Sequence, residues 1–167
     1  SDLLVTYYGH NSLYRNSGAG KFIEVTAAAG LPVTGTRWGS GCAFVDYDRD
    51  GWLDLFVGNY LSWRVEASTP CFSASGRRDY CSPNVYQAQS SRLYHNNHDG
   101  TFTDVTQKSG LTRGGWAQGV CSGDYDNDGD LDVLIINNGE APILLRNEGG
   151  NRNNWVGLQL VATKSNP

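Results

Sequence analysis

The 167-residue sequence contains no methionine and only four cysteines and five prolines. No apolar run approaches the ~18 residues that a membrane-spanning helix needs. A large charge excess is also missing: 13 basic residues face 17 acidic ones, for a formal net charge of −4. Neither nucleic acid nor membrane insertion is therefore expected among its partners. No C-x-x-C metal pair, no phosphate-cradling Gly loop opening a helix, and no Ser-His-Asp or Cys-His spacing is found. These absences point away from catalysis, and the chain reads as a non-enzyme. What is abundant is glycine, at 21 residues, together with frequent Tyr, Trp, Val and Leu. That mixture favours short strands joined by tight turns, in a chain long enough for a core.

An internal repeat organises the chain. Leu13-Tyr14-Arg15-Asn16, Gly20, Phe22, Val25-Thr26 and Gly30-Leu31 return 80 positions later as Leu93-Tyr94-His95-Asn96, Gly100, Phe102, Val105-Thr106 and Gly110-Leu111. Trp38 and Trp116 follow, then Gly41 and Gly119, then Asp-Tyr-Asp at 46–48 and 124–126. A third copy starts at Leu144-Leu145-Arg146-Asn147. The opening Asp2-Leu3-Leu4-Val5 matches Asp54-Leu55-Phe56-Val57 and Asp132-Val133-Leu134-Ile135, so the chain is expected to begin inside a motif, as a piece of something longer. The repeats divide as 1–53, 54–131 and 132–152, with 153–167 opening a different segment. From roughly 62 to 90 no repeat counterpart exists, and Pro70, Pro83 and several serines there read as an inserted loop. Within one repeat the β-prone runs are Ser12–Arg15, Lys21–Thr26, Gly41–Val45 and Asp54–Asn59, four short strands per unit, as in a propeller blade.

Nine of the acidic residues lie in two nine-residue windows. The first is Asp46-Tyr47-Asp48-Arg49-Asp50-Gly51-Trp52-Leu53-Asp54. The second is Asp124-Tyr125-Asp126-Asn127-Asp128-Gly129-Asp130-Leu131-Asp132. Both spell D-x-D-x-D-G-x-x-D. Calcium takes six to eight oxygens, and carboxylates at positions 1, 3 and 5 converge on one ion when Gly at position 6 allows a sharp turn. Position 7, here Trp52 or Asp130, offers its carbonyl, and the Asp at position 9 (Asp54 or Asp132) closes the shell. Two Ca²⁺ sites are expected. Magnesium, which keeps its waters, and zinc, without His or Cys in the loops, fit less well. An EF-hand would need Glu at position 12 and helical flanks, whereas Val57 and Ile135 stand there in strand-like runs. The alternative is a pair of turn-rich loops whose carboxylates are merely solvated, at the cost of their mutual repulsion.

The repeat unit resembles the FG-GAP/VCBS calcium-binding β-propeller repeats, and within them the cartilage acidic protein (ASPIC/UnbV) branch. The resemblance rests on Leu93-Tyr94-His95-Asn96, on Asp99-Gly100-Thr101-Phe102-Thr103-Asp104-Val105-Thr106, and on Gly123 with the second Asp loop. The inserted Arg78-Asp79-Tyr80-Cys81 is similar to an insertion of that branch. Asn154-Trp155-Val156-Gly157-Leu158 resembles the start of the small domain that follows such propellers. The implied fold is all-β, with two to three four-stranded antiparallel blades of a longer propeller.

Cys71 and Cys81 enclose nine residues of the insertion. A disulfide between them is expected, implying an oxidising compartment and hence a secreted, extracellular or periplasmic protein; the alternative is two free thiols in a cytosolic loop. Cys42 and Cys121, one register apart in corresponding strands, read as small buried hydrophobes. His10, His95 and His98 read as isolated residues of polar turns, without a ligand role. The recurring Trp38 and Trp116 suggest packing, or sugar stacking as the alternative.

Together these features describe a calcium-binding module for binding, adhesion or scaffolding, with a protein or glycan partner met through variable loops, above all 62–90. The other readings are the non-catalytic propeller part of a carbohydrate- or lipid-active secreted enzyme, and a structural subunit of a larger assembly or filament.

Overall fold

The structure is a computed structural model that describes residues 1–111 and 114–149. The expected domain start at 153–167 lies outside the described residues. In chain order the first strands are β1 (Leu3–Val5), β2 (Tyr8–Gly9), β3 (Ser12–Gly18), β4 (Lys21–Glu24), β5 (Arg37–Val45) and β6 (Asp54–Asn59). The insertion adds the short strands β7 (Cys71–Phe72), β8 (Arg78–Asp79) and β9 (Gln89–Ser90). Then follow β10 (Arg92–Asn96), β11 (Phe102–Asp104), β12 (Gly114–Gly115), β13 (Ala117–Gly123), β14 (Asp132–Asn137) and β15 (Ile143–Leu145). Among the described residues the only helical pieces are two 3₁₀ turns, Val65–Ala67 and Pro83–Val85.

The fold is all-β and built of propeller blades. The central sheet has the order β11-β10-β6-β5, all antiparallel, with β2 added beside the start of β5. On either side stand three-stranded sheets, β1-β3-β4 and β13-β14-β15. The central four-stranded blade spans 37–104, so it draws its strands from two sequence repeats. Its longest strand is β5, with nine residues.

Alternation along β6 explains why the blades stack. All six residues of β6 are buried, which requires cover on both faces. Leu55 and Val57 point toward the first sheet and pack with Leu4, Leu13, Leu31 and Tyr94. Phe56 points the other way and packs with Val45, Leu93, Val133 and Ile135. Burial of each such side chain contributes ~1.5–3 kcal/mol, and the two cores tie three sheets into one body. Close approach of neighbouring blades demands glycine at Gly58, where a Cβ would lie 2.7 Å from the Val120 side chain. Ser40 Oγ also donates to the Ala117 carbonyl across the same seam, at 2.5 Å.

The repeated Val-Thr…Gly-Leu segment is a repeated turn, not a helix. Thr26 and Thr106 are buried, and their hydroxyls accept the amides of Leu13 and Leu93 at 2.8 and 3.1 Å. Their carbonyls accept the amides of Leu31 and Leu111 at 3.1 and 3.2 Å. Gly30 and Gly110 sit at φ +72° and +79°, where a side chain would be strained.

The 62–90 insertion is a folded excursion. Its stem is closed by Ser62 donating to the Gln87 carbonyl at 2.8 Å and Gln89 donating to the Tyr60 carbonyl at 3.2 Å. The β7–β8 hairpin carries the Cys71–Cys81 disulfide. Trp38 packs edge-to-face against Tyr8, Tyr60 and Trp63, and Trp116 donates its indole N–H to the Tyr86 carbonyl at 3.1 Å. Both tryptophans thus anchor the insertion or its neighbours. The cysteine expectation needs one correction. Cys42 is half-buried against the first core, but Cys121 is exposed. The reason is register: Val57 pairs with Cys42, whereas its counterpart Ile135 pairs with Val120. Alternation then turns Cys121 to the opposite face, the open side of the last described sheet.

Candidate metal centre

Each Asp-rich loop joins the first two strands of its sheet. The first connects β5 to β6 and the second connects β13 to β14. Local hydrogen bonding shapes both in the same way. Asp46 accepts the amides of Asp50 and Gly51, each at 3.1 Å, and Asp124 accepts that of Gly129 at 2.9 Å. Asp50 accepts the amide of Trp52, and Asp128 that of Asp130, each at 2.8 Å. The turn is completed by left-handed backbone at Arg49 and Asn127 and by Gly51 and Gly129 at φ +90° and +88°.

The ninth residue of each loop ties the loop to the sheet. Asp54 accepts the amides of Tyr47 at 3.2 Å and Asn96 at 2.8 Å. Asp132 does the same with Tyr125 at 3.1 Å and Asn147 at 2.8 Å. Asp2 accepts the amide of Asn16 at 2.9 Å. The three aspartates that align in the repeat therefore play one geometric role.

The carboxylates converge. One oxygen from each of Asp46, Asp48 and Asp50 lies within 4.8 Å of the others, and the same holds for Asp124, Asp126 and Asp132. Asp124 Oδ1 and Asp126 Oδ1 are buried and accept no hydrogen bond. Hard anionic oxygens left in this state suit a hard cation. Of the other expected residues, Trp52 keeps a half-exposed side chain, stacked on His98 with ring centres 5.1 Å apart. Asp130 is fully buried, and its carboxylate turns away from the triad to Arg49.

Crowding shifts the titration of the first loop. Burial pushes Asp54 up to about 6, although the amides of Asn96 and Tyr47 pull the other way. Asp48 is raised as well, by burial and then by Asp50. Burial would also raise Asp50, but the Trp52 amide and His98 outweigh it and hold that carboxyl below its usual range. Burial, reinforced by Asp48, Asp54 and Asp50, pushes the Tyr47 phenol up to about 12.

Sequence reasoning missed the histidines. His95 and His98 are not isolated. His95 Nδ1 stands 3.2 Å from Asp54 Oδ1 and 3.4 Å from Asp48 Oδ2, and His98 Nε2 stands 2.5 Å from Asp50 Oδ2. In the next sheet Arg146, which aligns with His95, places Nε 2.8 Å from Asp126 Oδ2. The residue preceding the repeated Asn thus faces position 3 of a loop in both blades. The available signal was the phase of the repeat, because Asn96 and Asn147 dock on Asp54 and Asp132.

Comparison with known proteins places these features in a family. The family model for the FG-GAP-like repeat matches residues 1–57 and 72–135. Cartilage acidic protein 1 of Mus musculus and of Homo sapiens are each 27% identical over 186 residues, covering 89% of this chain and 28% of theirs. The Xenopus tropicalis protein of the same name is 24% identical over 191 residues. The chain thus spans about 28% of the length of these relatives. With the match covering well over half of its residues, including both sheet-forming repeats and their Asp loops, the chain belongs to the FG-GAP-like repeat family.

Proposed function

We propose that this chain is a calcium-stabilised, non-enzymatic binding module of a secreted protein. The observation that carries the reading is the convergence of Asp46, Asp48 and Asp50, and of Asp124, Asp126 and Asp132, into two compact carboxylate triads. In the first loop Asp46, Asp48, Asp50 and Asp54 would hold Ca²⁺ with the Trp52 carbonyl. In the second, Asp124, Asp126, Asp128 and Asp132 would do so with the Asp130 carbonyl. Each ion neutralises like charges and pins the first two strands of a blade. With a Kd near 10⁻⁴ M and about 1 mM calcium, each site adds roughly 1.4 kcal/mol, a useful share of a marginal folding free energy.

The insertion supports a recognition role. β6 runs away from the Asp loop, so residues 60–91 emerge at the opposite end of the sheet. There Trp38, Tyr60, Trp63 and Tyr80 line a groove of about 750 Å³ beside the disulfide. An aromatic groove on a cross-linked loop suits a protein or glycan partner. The disulfide supports an oxidising, extracellular or periplasmic setting.

The test is a calcium titration followed by calorimetric melting, with magnesium as control. Two calcium ions per chain and a raised melting temperature support the reading. No binding, or equal binding of magnesium, overturns it.

A further inference from the structure

We propose that the first Asp loop is also a zinc-class site, formed by Asp50, His95 and His98, at which Zn²⁺ competes with calcium, while the second loop takes only hard cations. One ligand atom from each of Asp50, His95 and His98 lies within 4.8 Å of the other two, and Asp48, Asp54 and His95 form an overlapping group. His95 Nδ1 is buried, makes no hydrogen bond, and points at two carboxylates. Imidazole nitrogen and carboxylate oxygen together suit zinc, which binds both at ~2.0–2.2 Å. Calcium favours oxygen alone.

The two loops differ in this respect because of single residues. His95 stands where the other copies carry Arg15 and Arg146, and His98 stands where they carry Gly18 and Gly149. Arg146 closes the second loop with a cation of its own, 2.8 Å from Asp126, and an arginine cannot ligate a metal. His98 adopts φ +66°, left-handed backbone for which its counterpart Gly18, at φ +90°, needs no compensation. That conformation brings Nε2 to Asp50, and the ring is held by stacking on Trp52 at an interplanar angle of 18°. A His-x-x-His pair on the end of β10, with the carboxylate supplied across the sheet, leaves coordination positions open to water.

The proposal rests on the calcium reading only through the shared Asp50, and the experiment separates the two. Zinc is titrated calorimetrically into the full chain in calcium-free buffer and again with calcium saturating. One zinc per chain is expected in calcium-free buffer, with at least ten-fold weaker apparent affinity under calcium, and bound calcium measured by equilibrium dialysis falling from two ions to one as zinc saturates. Zinc binding should fall at least ten-fold in His95→Gln and in His98→Gln, while both variants still take two calcium ions. His10→Gln and Cys121→Ser should leave zinc binding unchanged. Zinc binding that survives in both histidine variants, disappears in Cys121→Ser, or is absent from the wild-type chain overturns the proposal. Zinc binding without calcium binding would sink the calcium reading and leave the histidine site standing.

Discussion

Arg49 places Nε 2.6 Å from Asp130 Oδ1, joining the fourth position of the first Asp loop to the seventh position of the second. Both side chains are withdrawn from solvent, and Arg49 Nη2 also donates to the Asp128 carbonyl at 3.0 Å. Asn147 adds a second tie, donating its side-chain amide to the Tyr47 carbonyl at 2.6 Å. The loops are therefore one connected structure across the seam between two blades.

Breaking that pair on one side should be costly. Arg49→Gln or Asp130→Asn removes one side of this buried ion pair, and a loss of roughly 3–5 kcal/mol is expected. Replacing both with apolar residues, Arg49→Met with Asp130→Leu, should recover most of it. Urea midpoints of the two single variants and the double variant, all in calcium, check this. Single variants as stable as the parent would show that the pair contributes little.

Removing one ligand should silence one loop. Asp48→Asn is expected to weaken calcium at the first loop at least ten-fold, about 1.4 kcal/mol, and to leave the second occupied. Asp126→Asn should do the reverse. Calorimetric stoichiometry near one ion per chain in each variant is the expected result. Loss of both ions in either variant would mean that the Arg49–Asp130 seam makes binding cooperative.

Metal-free protein should respond to pH in a definite direction. The folded-state value of Asp54 is raised to about 6 from an ordinary 3.8, chiefly by burial. A raised value favours folding while the group is protonated; this contribution is complete below the unfolded value and disappears as pH rises through the folded one. In chelator, the melting temperature should therefore fall as pH rises from about 4 to about 6. Calcium, which binds the ionised carboxylate, should reverse the trend. An unchanged slope with and without calcium would remove Asp54 from the metal set.

The disulfide should protect its loop more than the fold. No hydrophobic residue of 62–90 belongs to either buried core. Cys71→Ser with Cys81→Ser is expected to speed proteolytic cleavage within the insertion several-fold, while the global melting temperature shifts by only a few degrees. A loss of stability in the range of about 2–4 kcal/mol typical of native disulfides would show that the insertion supports the blades.

How much of this was legible follows from how local each feature is. The strands around Leu55-Phe56-Val57 and Val133-Leu134-Ile135 were readable because β-prone runs stood between turn signals, and the repeat multiplied the signal. Cys121 misled although its one-residue offset from Cys42 was legible, because only the packing of the sheets shows that the face it occupies is exposed. His95 and His98 looked isolated because their partners lie more than 40 positions away along the chain.

The sequence by itself determined the blade repeat and the Asp loops, since nine consecutive residues with Gly51 or Gly129 at the turn contain their own hydrogen-bond plan. Tertiary structure decided which side chains enter those loops. The pairing of Tyr94 with Leu55 carries His95 and His98 to the first loop, and blade stacking delivers Arg49 to Asp130. Such encounters depend on strand register and on two apolar cores closing in three dimensions, and neither is written in any single stretch of chain.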